Sequence, residues 1–225
     1  MKPVTNDYKE ALLSLGREYD VRVTYVNTVL TNEQLNEVTP HYEGGMLKSV
    51  MKQLDLDSNV DIPIGTEINC QFGLKVGNSY EYIDYGNYLV YSSEKQEDLD
   101  SYRIVCYDKM LYSMKDYEQL PITYPITIKD YISAIATKIG LDFDDDNFVN
   151  YDKTISEERY LSIDTIEIEG EEPTTTITSL GYTYRDILDE LAQVTASTIC
   201  INKDDKLEIR YIKNAISNPR RGDIQ

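Results

Sequence analysis

One histidine, three cysteines and forty carboxylates are the side chains of this 225-residue sequence that could carry chemistry. His41, in Pro40-His41-Tyr42, would have to serve as the base of any serine or cysteine hydrolase, beside an activated nucleophile. No Gly-x-Ser-x-Gly elbow or comparable setting accompanies it. Cys70, Cys106 and Cys200 are far apart and odd in number, and no Cys-x-x-Cys pair exists. Neither a zinc site nor a disulfide framework is indicated. Cys70 and Cys106 sit in alternating, strand-like stretches and read as small buried apolar residues. The run Asp142-x-Asp144-Asp145-Asp146 invites a calcium reading, yet Asn147 stands where an EF-hand loop needs glycine and Lys153 where it needs glutamate. It reads as a solvated acidic loop. Arg221-Gly222-Asp223 matches an adhesion tripeptide, a match too short to carry weight, and no glycine-rich phosphate loop occurs. Among forty acids, a pair at glycosidase spacing carries no information. The sequence therefore assigns no catalytic, cofactor-binding or metal residue and implies no cofactor.

The same side chains set the charge. Twenty-two bases against forty acids leave −18. Such a surface repels phosphate and anionic lipid, which excludes stable nucleic-acid binding by counterion release and disfavours membranes. It suits a protein that stays soluble at high concentration, or one that lets DNA pass without sticking. No apolar run approaches the roughly 18 residues of a membrane-spanning helix, so no membrane insertion is expected. Met1–Asp7 lacks the apolar core of a signal peptide, which fits synthesis in the cytoplasm. Twenty tyrosines, three phenylalanines and no tryptophan favour half-buried strands and contact surfaces.

Positioning these residues falls to a strand-rich first half. Residues 6–18 have helical spacing, with Tyr8, Leu12 and Leu15 on one face. Asp20–Val26 alternates as a strand, with Val21, Val23 and Tyr25 opposite Arg22 and Thr24. Thr31 or Asn32 could cap a turn, and Leu47–Gln53 has the spacing of a short helix. Thr66–Val76 places Ile68, Cys70, Phe72, Leu74 and Val76 in period two; Gly77-Asn78 turns it and Tyr80–Tyr85 returns. Tyr88–Ser92 and Ser101–Tyr107 form a second pair around the acidic loop Ser93–Asp100, and Asp108 caps a helical turn reaching Met114. Short antiparallel strands over residues 20–107 suggest a small barrel or sandwich. Pro121 and Pro125 mark a boundary. Beyond it come a helix, an acidic and then threonine-rich stretch with a strand at Ser162–Glu169, a second helix, and the hairpin Ser197–Asn202 with Leu207–Tyr211. Residues 220–225 do not read as a domain end, so the chain is expected to belong to a longer polypeptide.

The two helices share a pattern, Thr-x-x-Asp-apolar-apolar-x-x-apolar-Ala, 56 positions apart. The first copy is Thr127, Asp130, Tyr131, Ile132, Ile135, Ala136; the second is Thr183, Asp186, Ile187, Leu188, Leu191, Ala192. In each, the threonine can accept from a free N–H of the first turn and the acid faces the positive end of the helix dipole. The apolar residues make one buried stripe. The constant offset points to two related α/β units.

Several segments, in order, resemble the N-terminal hub region of tail-tip proteins of phages infecting Gram-positive bacteria, the tail-associated lysin or prophage tail endopeptidase family. They are Gly65–Ile68 with Gly73–Val76, Tyr80–Gly86, Tyr107–Met110, Tyr124–Asp130, and Tyr182–Leu188 through Asp204–Ile209. The resemblance covers about residues 20–212. It implies an α+β fold in which an antiparallel β-barrel is interrupted by an inserted α/β domain. The expected divisions are 1–118 for the first part of the barrel, 119–205 for the insert with its two related helices, and 206–225 for a strand returning to the barrel. It further implies a structural, non-enzymatic baseplate-hub component of the virion tail tip, made in the host cytoplasm, that caps the tail tube. The partners implied are its own copies in a homotrimer, the distal tail protein, and the tail tube or tape-measure protein. Effector domains would follow in the longer chain. Two other readings compete: part of a peptidoglycan hydrolase, or a cell-surface carbohydrate-binding module. Tyrosines gathered in one exposed groove would favour the latter; tyrosines spread over barrel faces would favour the hub.

Overall fold

The computed structural model describes residues 4–14, 16–97, 99–146, 148–149, 153–166 and 174–211. Helix α1 (Asn6–Leu13) starts where Thr5 accepts from the Tyr8 N–H at 3.1 Å. It ends sooner than the helical spacing of residues 6–18 suggests. Ser14 is already extended and Gly16 takes a positive φ of 76°, which breaks the helix. Leu15, expected on its apolar face, lies outside the described residues.

Seven strands follow: β1 (Tyr19–Tyr25), β2 (Thr28–Leu30), β3 (Leu35–Glu43), β4 (Ser49–Ser58), β5 (Glu67–Val76), β6 (Ser79–Lys95) and β7 (Tyr102–Tyr107). They pair antiparallel in the spatial order β2-β1-β5-β6-β7-β4-β3. The expected strands Tyr80–Tyr85 and Tyr88–Ser92 are one continuous β6. Bulges opposite Cys70/Gln71 and at Val90/Ser92 bend it so that it serves both β5 and β7. All seven strands supply one core that includes Val23, Leu54, Ile68, Cys70, Ile104 and Cys106. The sheet rolls around this core but is not the closed barrel expected. No ladder joins β2 to β3 among the described residues. β2 has only three residues, and the chain crosses to β3 through the turn Thr31–Gln34, held by Gln34 N–H to Thr31 O at 2.9 Å.

The helix expected at Leu47–Gln53 is instead the start of β4. Apolar residues at 47, 50 and 51 imitate helical spacing because β4 is buried on both faces. Met51 enters one core, while Leu54 and Leu56 enter the other.

The second core is built on α2 (Ile128–Lys138) and α3 (Tyr184–Val194). Thr127 accepts from Asp130 N–H at 3.1 Å and Thr183 from Asp186 N–H at 3.2 Å. In α3 the Asp186 carboxylate also receives the Thr183 N–H at 2.8 Å, completing a reciprocal cap. The stripes Tyr131, Ile132, Ile135, Ala136 and Ile187, Leu188, Leu191, Ala192 are buried in one cluster. The 56-residue offset continues past the helices. α2 exits through Gly140 at φ 80° and α3 through Ala196 at φ 50°. Each then gives a strand that joins the sheet by parallel pairing. β9 (Phe143–Asp144) lies beside β14 (Leu207–Tyr211), starting at Phe143, and β13 (Ser197–Ile201) lies beside β4, with Ile199 opposite Ser49. Phe143 and Ile199 are again 56 positions apart. The two units are thus structurally related from cap to strand.

β13 and β14 form the expected hairpin, and β13 merges both layers into one ten-stranded sheet. Residues 212–225, the rest of the expected returning segment, lie outside the described residues. Two small sheets stand apart: β8 (Ile126–Thr127) with β10 (Thr154–Ile155), and β11 (Leu161–Ile166) with β12 (Thr174–Ser179). β11 is the strand expected at Ser162–Glu169, whose last three positions lie outside the described residues; β12 comes from the threonine-rich stretch.

Because both stripes are sealed, truncating either should create a cavity. Ile135→Ala and Leu191→Ala are each expected to destabilise the protein by about 2–5 kcal/mol in urea denaturation. Losses below about 0.5 kcal/mol at both positions would contradict this packing.

Candidate functional site

The residues with chemical potential do not converge. His41 lies on β3 with Nε2 3.4 Å from Asp55 Oδ2, while Gln53 Nε2 donates to the other Asp55 oxygen at 2.7 Å. The surrounding cleft is lined by Glu37, Thr39, Asp55, Leu56, Asp57, Gln96 and Arg103. Its one hydroxyl, that of Thr39, donates to Glu37 at 2.8 Å. A base and an orienting acid are present, but no lining group is placed as a nucleophile for them. The three cysteines are buried and unpaired; burial pushes the Cys70 and Cys106 thiols up to about 12 and raises Cys200 as well. Thiols held this firmly protonated are structural. The aspartate run disperses. Asp144 accepts from Asn202 Nδ2 at 2.7 Å, and Asp145 pairs with Lys129. No group of three metal-ligating side chains occurs among the described residues. Asn147 and Arg221-Gly222-Asp223 lie outside them.

What the fold does assemble is a polar joint between the two cores, centred on β4. On one flank, Gln53–Ser58 pair with β7 and Ser49–Val50 pair with β13. The change of partner occurs at Asp108. Its N–H donates to Lys52 O at 2.9 Å, and its Oδ1 caps the 3-10 turn Lys109–Met114 by accepting from Met110 N–H at 3.1 Å. β7 therefore ends, the chain leaves the sheet, and the flank of β4 is open to β13. From the other side α3 grips the start of β4. Asp189 accepts from the Ser49 N–H at 2.7 Å and from the Ser49 hydroxyl. One turn earlier, Arg185 donates to the Glu43 carbonyl at 3.2 Å and lies 3.5 Å from its carboxylate. At the far end of the hairpin, Asp205 at φ 60° accepts from Asn87 Nδ2 at 2.9 Å and pairs with Lys109 at 3.0 Å. Asp108 was legible as a cap. Arg185, Asp189 and Asp205 were not, because their partners lie more than a hundred positions away or in a turn that pattern alone does not fix.

Asp108 is 1% exposed, and its second oxygen, Oδ2, has no hydrogen-bond partner among the described residues. Burial raises its carboxyl to about 6, against the partial pull of Lys52 and Arg185. The Tyr88 hydroxyl, buried and also without a partner there, is raised by burial first and by Asp108 among its neighbouring acids.

Among the described tyrosines, Tyr8, Tyr88, Tyr117, Tyr131, Tyr160 and Tyr184 are buried. Tyr117 and Tyr124 donate to Glu158 Oε2 at 2.9 and 3.0 Å, Tyr160 donates to Glu190 at 2.9 Å, and Tyr117 meets Tyr131 at 3.2 Å. Edge-to-face contacts join Tyr117 to Tyr160 and Tyr184, and Tyr160 to Tyr182. This network fills the helical core. The most exposed tyrosines, Tyr19, Tyr42 and Tyr91, lie on three different strands.

Compared with known proteins, the chain matches no family model and no curated protein. Its fold is similar to that of the 43 kDa tail protein of prophage MuSo2 from Shewanella oneidensis, with a TM-score of 0.50 at 12% identity. The match covers 87% of this chain and 56% of that one, so the chain spans little more than half the length of its structural neighbour.

The buried carboxylate has a measurable signature. A carboxyl raised from its ordinary 3.8 to about 6 favours the folded state below the lower value, and that contribution is lost as pH rises through the higher one. Asp108→Asn keeps an oxygen for the Met110 N–H but cannot titrate. Between pH 7 and pH 4 the stability difference should move in favour of the wild type, by on the order of 1–3 kcal/mol. Urea midpoints at several pH values test this, and parallel profiles for the two proteins would refute it.

Proposed function

We propose that this chain is a structural component of a phage or prophage tail, placed at the tail tip as part of a baseplate hub and without catalytic activity of its own. The observation that carries the reading is the likeness of fold, over 87% of the chain, to a prophage tail protein. The ordered segments from Gly65–Ile68 to Asp204–Ile209, which resemble hubs of tail-associated lysins, support the finer placement. In this reading residues 1–118 form the rolled-sheet domain, 119–205 an inserted α/β domain, and 206–225 lead back. Three copies would cap the tail tube, meeting the distal tail protein and the tube or tape-measure protein, with effector domains carried beyond. The protein would be made in the host cytoplasm. A net charge of −18 suits a surface past which DNA moves without adhering. It also opposes ring closure, and salt screens that repulsion over roughly 8–10 Å.

Gold-labelled antibodies against this chain should mark purified particles at the tail end distal to the head; label on the capsid, or none on intact particles, would refute the placement. The protein should release no peptidoglycan fragments with or without divalent metal. Release abolished by His41→Ala would replace the structural reading with an enzymatic one.

A further inference from the structure

An exposed sheet edge is a template for pairing, and proteins blunt such edges with brevity, charge or proline. Three edges of the large sheet follow this rule. β2 has three residues; β9 has two and runs into Asp145 and Asp146; β3 has Pro40 near its middle with Glu37 and Glu43 on either side. β12 does not. Thr174-Thr175-Thr176-Ile177-Thr178-Ser179 has no charge and no proline, and five of its six residues are β-branched. The neutral run continues to Tyr184, in a chain that is 28% charged. Among the described residues, Thr176–Ser179 pair only with β11. On one face of this ribbon Ile163 and Ile177 sit directly opposite each other at 44% and 45% exposure. A two-stranded ribbon is marginal alone and gains stability from a third strand and a covered apolar face.

We propose that β12 is a strand-addition site and that its occupant is β12 of a second copy of this chain, paired antiparallel about Ile177. Charge selects the occupant. Two chains of −18 repel wherever their acids approach, and the uncharged, exposed residues 175–181 let two copies meet without bringing like charges together. Pairing about Ile177 is self-complementary, as a two-fold contact must be. It makes a four-stranded sheet with Ile163 and Ile177 of both copies on one face. The inference is independent of the tail assignment.

The 225-residue protein at up to about 1 mM, the weak limit for so small a contact, should show a concentration-dependent dimer in sedimentation equilibrium. Hydrogen exchange at Thr176–Ser179 should slow as concentration rises. Ile177→Lys, with unchanged circular dichroism, should weaken association by about tenfold or more. Ile177→Cys should cross-link under copper phenanthroline, since the native cysteines are buried, while Val29→Cys on β2 should not. A strict monomer without concentration-dependent protection, association untouched by Ile177→Lys, or equal cross-linking at Val29→Cys would each overturn the proposal. A trimer insensitive to Ile177→Lys would do so while leaving the proposed function standing.

Discussion

Both hydrophobic cores depend on burying β4 on its two faces at once. A strand in that position has no solvent to satisfy its backbone, so every N–H and C=O needs a protein partner along its length. β3 supplies one flank from Met51 to Ser58, and Asp189 takes the N–H of Ser49. The other flank is shared, by β7 over Gln53–Ser58 and by β13 at Ser49–Val50. The handover needs β7 to leave the sheet at a defined residue, and Asp108 does this by turning its own N–H to Lys52 while capping the 3-10 turn that carries the chain away. A buried carboxylate is an expensive way to end a strand. It is tolerated because the cap and the strand end must coincide, and because Lys52 and Arg185 partly offset the burial.

The relation between the two helical units follows from the same sheet. Each unit is a threonine-capped helix, a residue at positive φ, and a strand inserted parallel to a neighbour. Parallel pairing requires a crossover, and α3 lies in both, between β9 and β14 and between β4 and β13. The units differ in what the strand reaches. β13 meets the rolled sheet, so its helix α3 carries Arg185 and Asp189 for gripping β4. Among the described residues β9 pairs only with β14, and the first unit has Lys129 bound to Asp145 within itself. One element pattern thus serves as a joint in one copy and as closure of the helical core in the other.

Local signals were legible wherever one face was wet and the other dry. The two helices, β1, β5 with its Gly77 turn, β7 and the β13–β14 hairpin all follow from periodicity and caps. β4 was not legible, since a strand buried on both faces loses its alternation and Met51 falls at helical spacing from Leu47. The continuity of β6 was hidden by its bulges, which look like breaks in the pattern. Closure of the rolled sheet is a property of two edges distant in the ladder, and three residues in β2 are too few to decide it by sequence. The polar joint was the least visible part. Arg185 and Asp189 look like ordinary solvent-facing charges on an amphipathic helix, and only the tertiary fold brings Glu43 and Ser49 to them.

A joint made of carboxylates and a guanidinium, where an apolar seam would also exclude water, has a physical consequence. Apolar contacts are non-directional and tolerate small rotations of one layer on another. Hydrogen bonds to charged groups are short and angular, and they weaken steeply when misaligned. Asp189 on Ser49, Arg185 on Glu43 and Asp205 on Asn87 and Lys109 sit at well-separated points around β4 and the hairpin. Three such points fix an orientation, as three feet fix a stool. Rotating the helical core relative to the rolled sheet would break at least one of them and leave a partly buried charge without its partner, a loss of about 1–3 kcal/mol. The apolar cores hold the layers together, and the polar contacts set the angle between them.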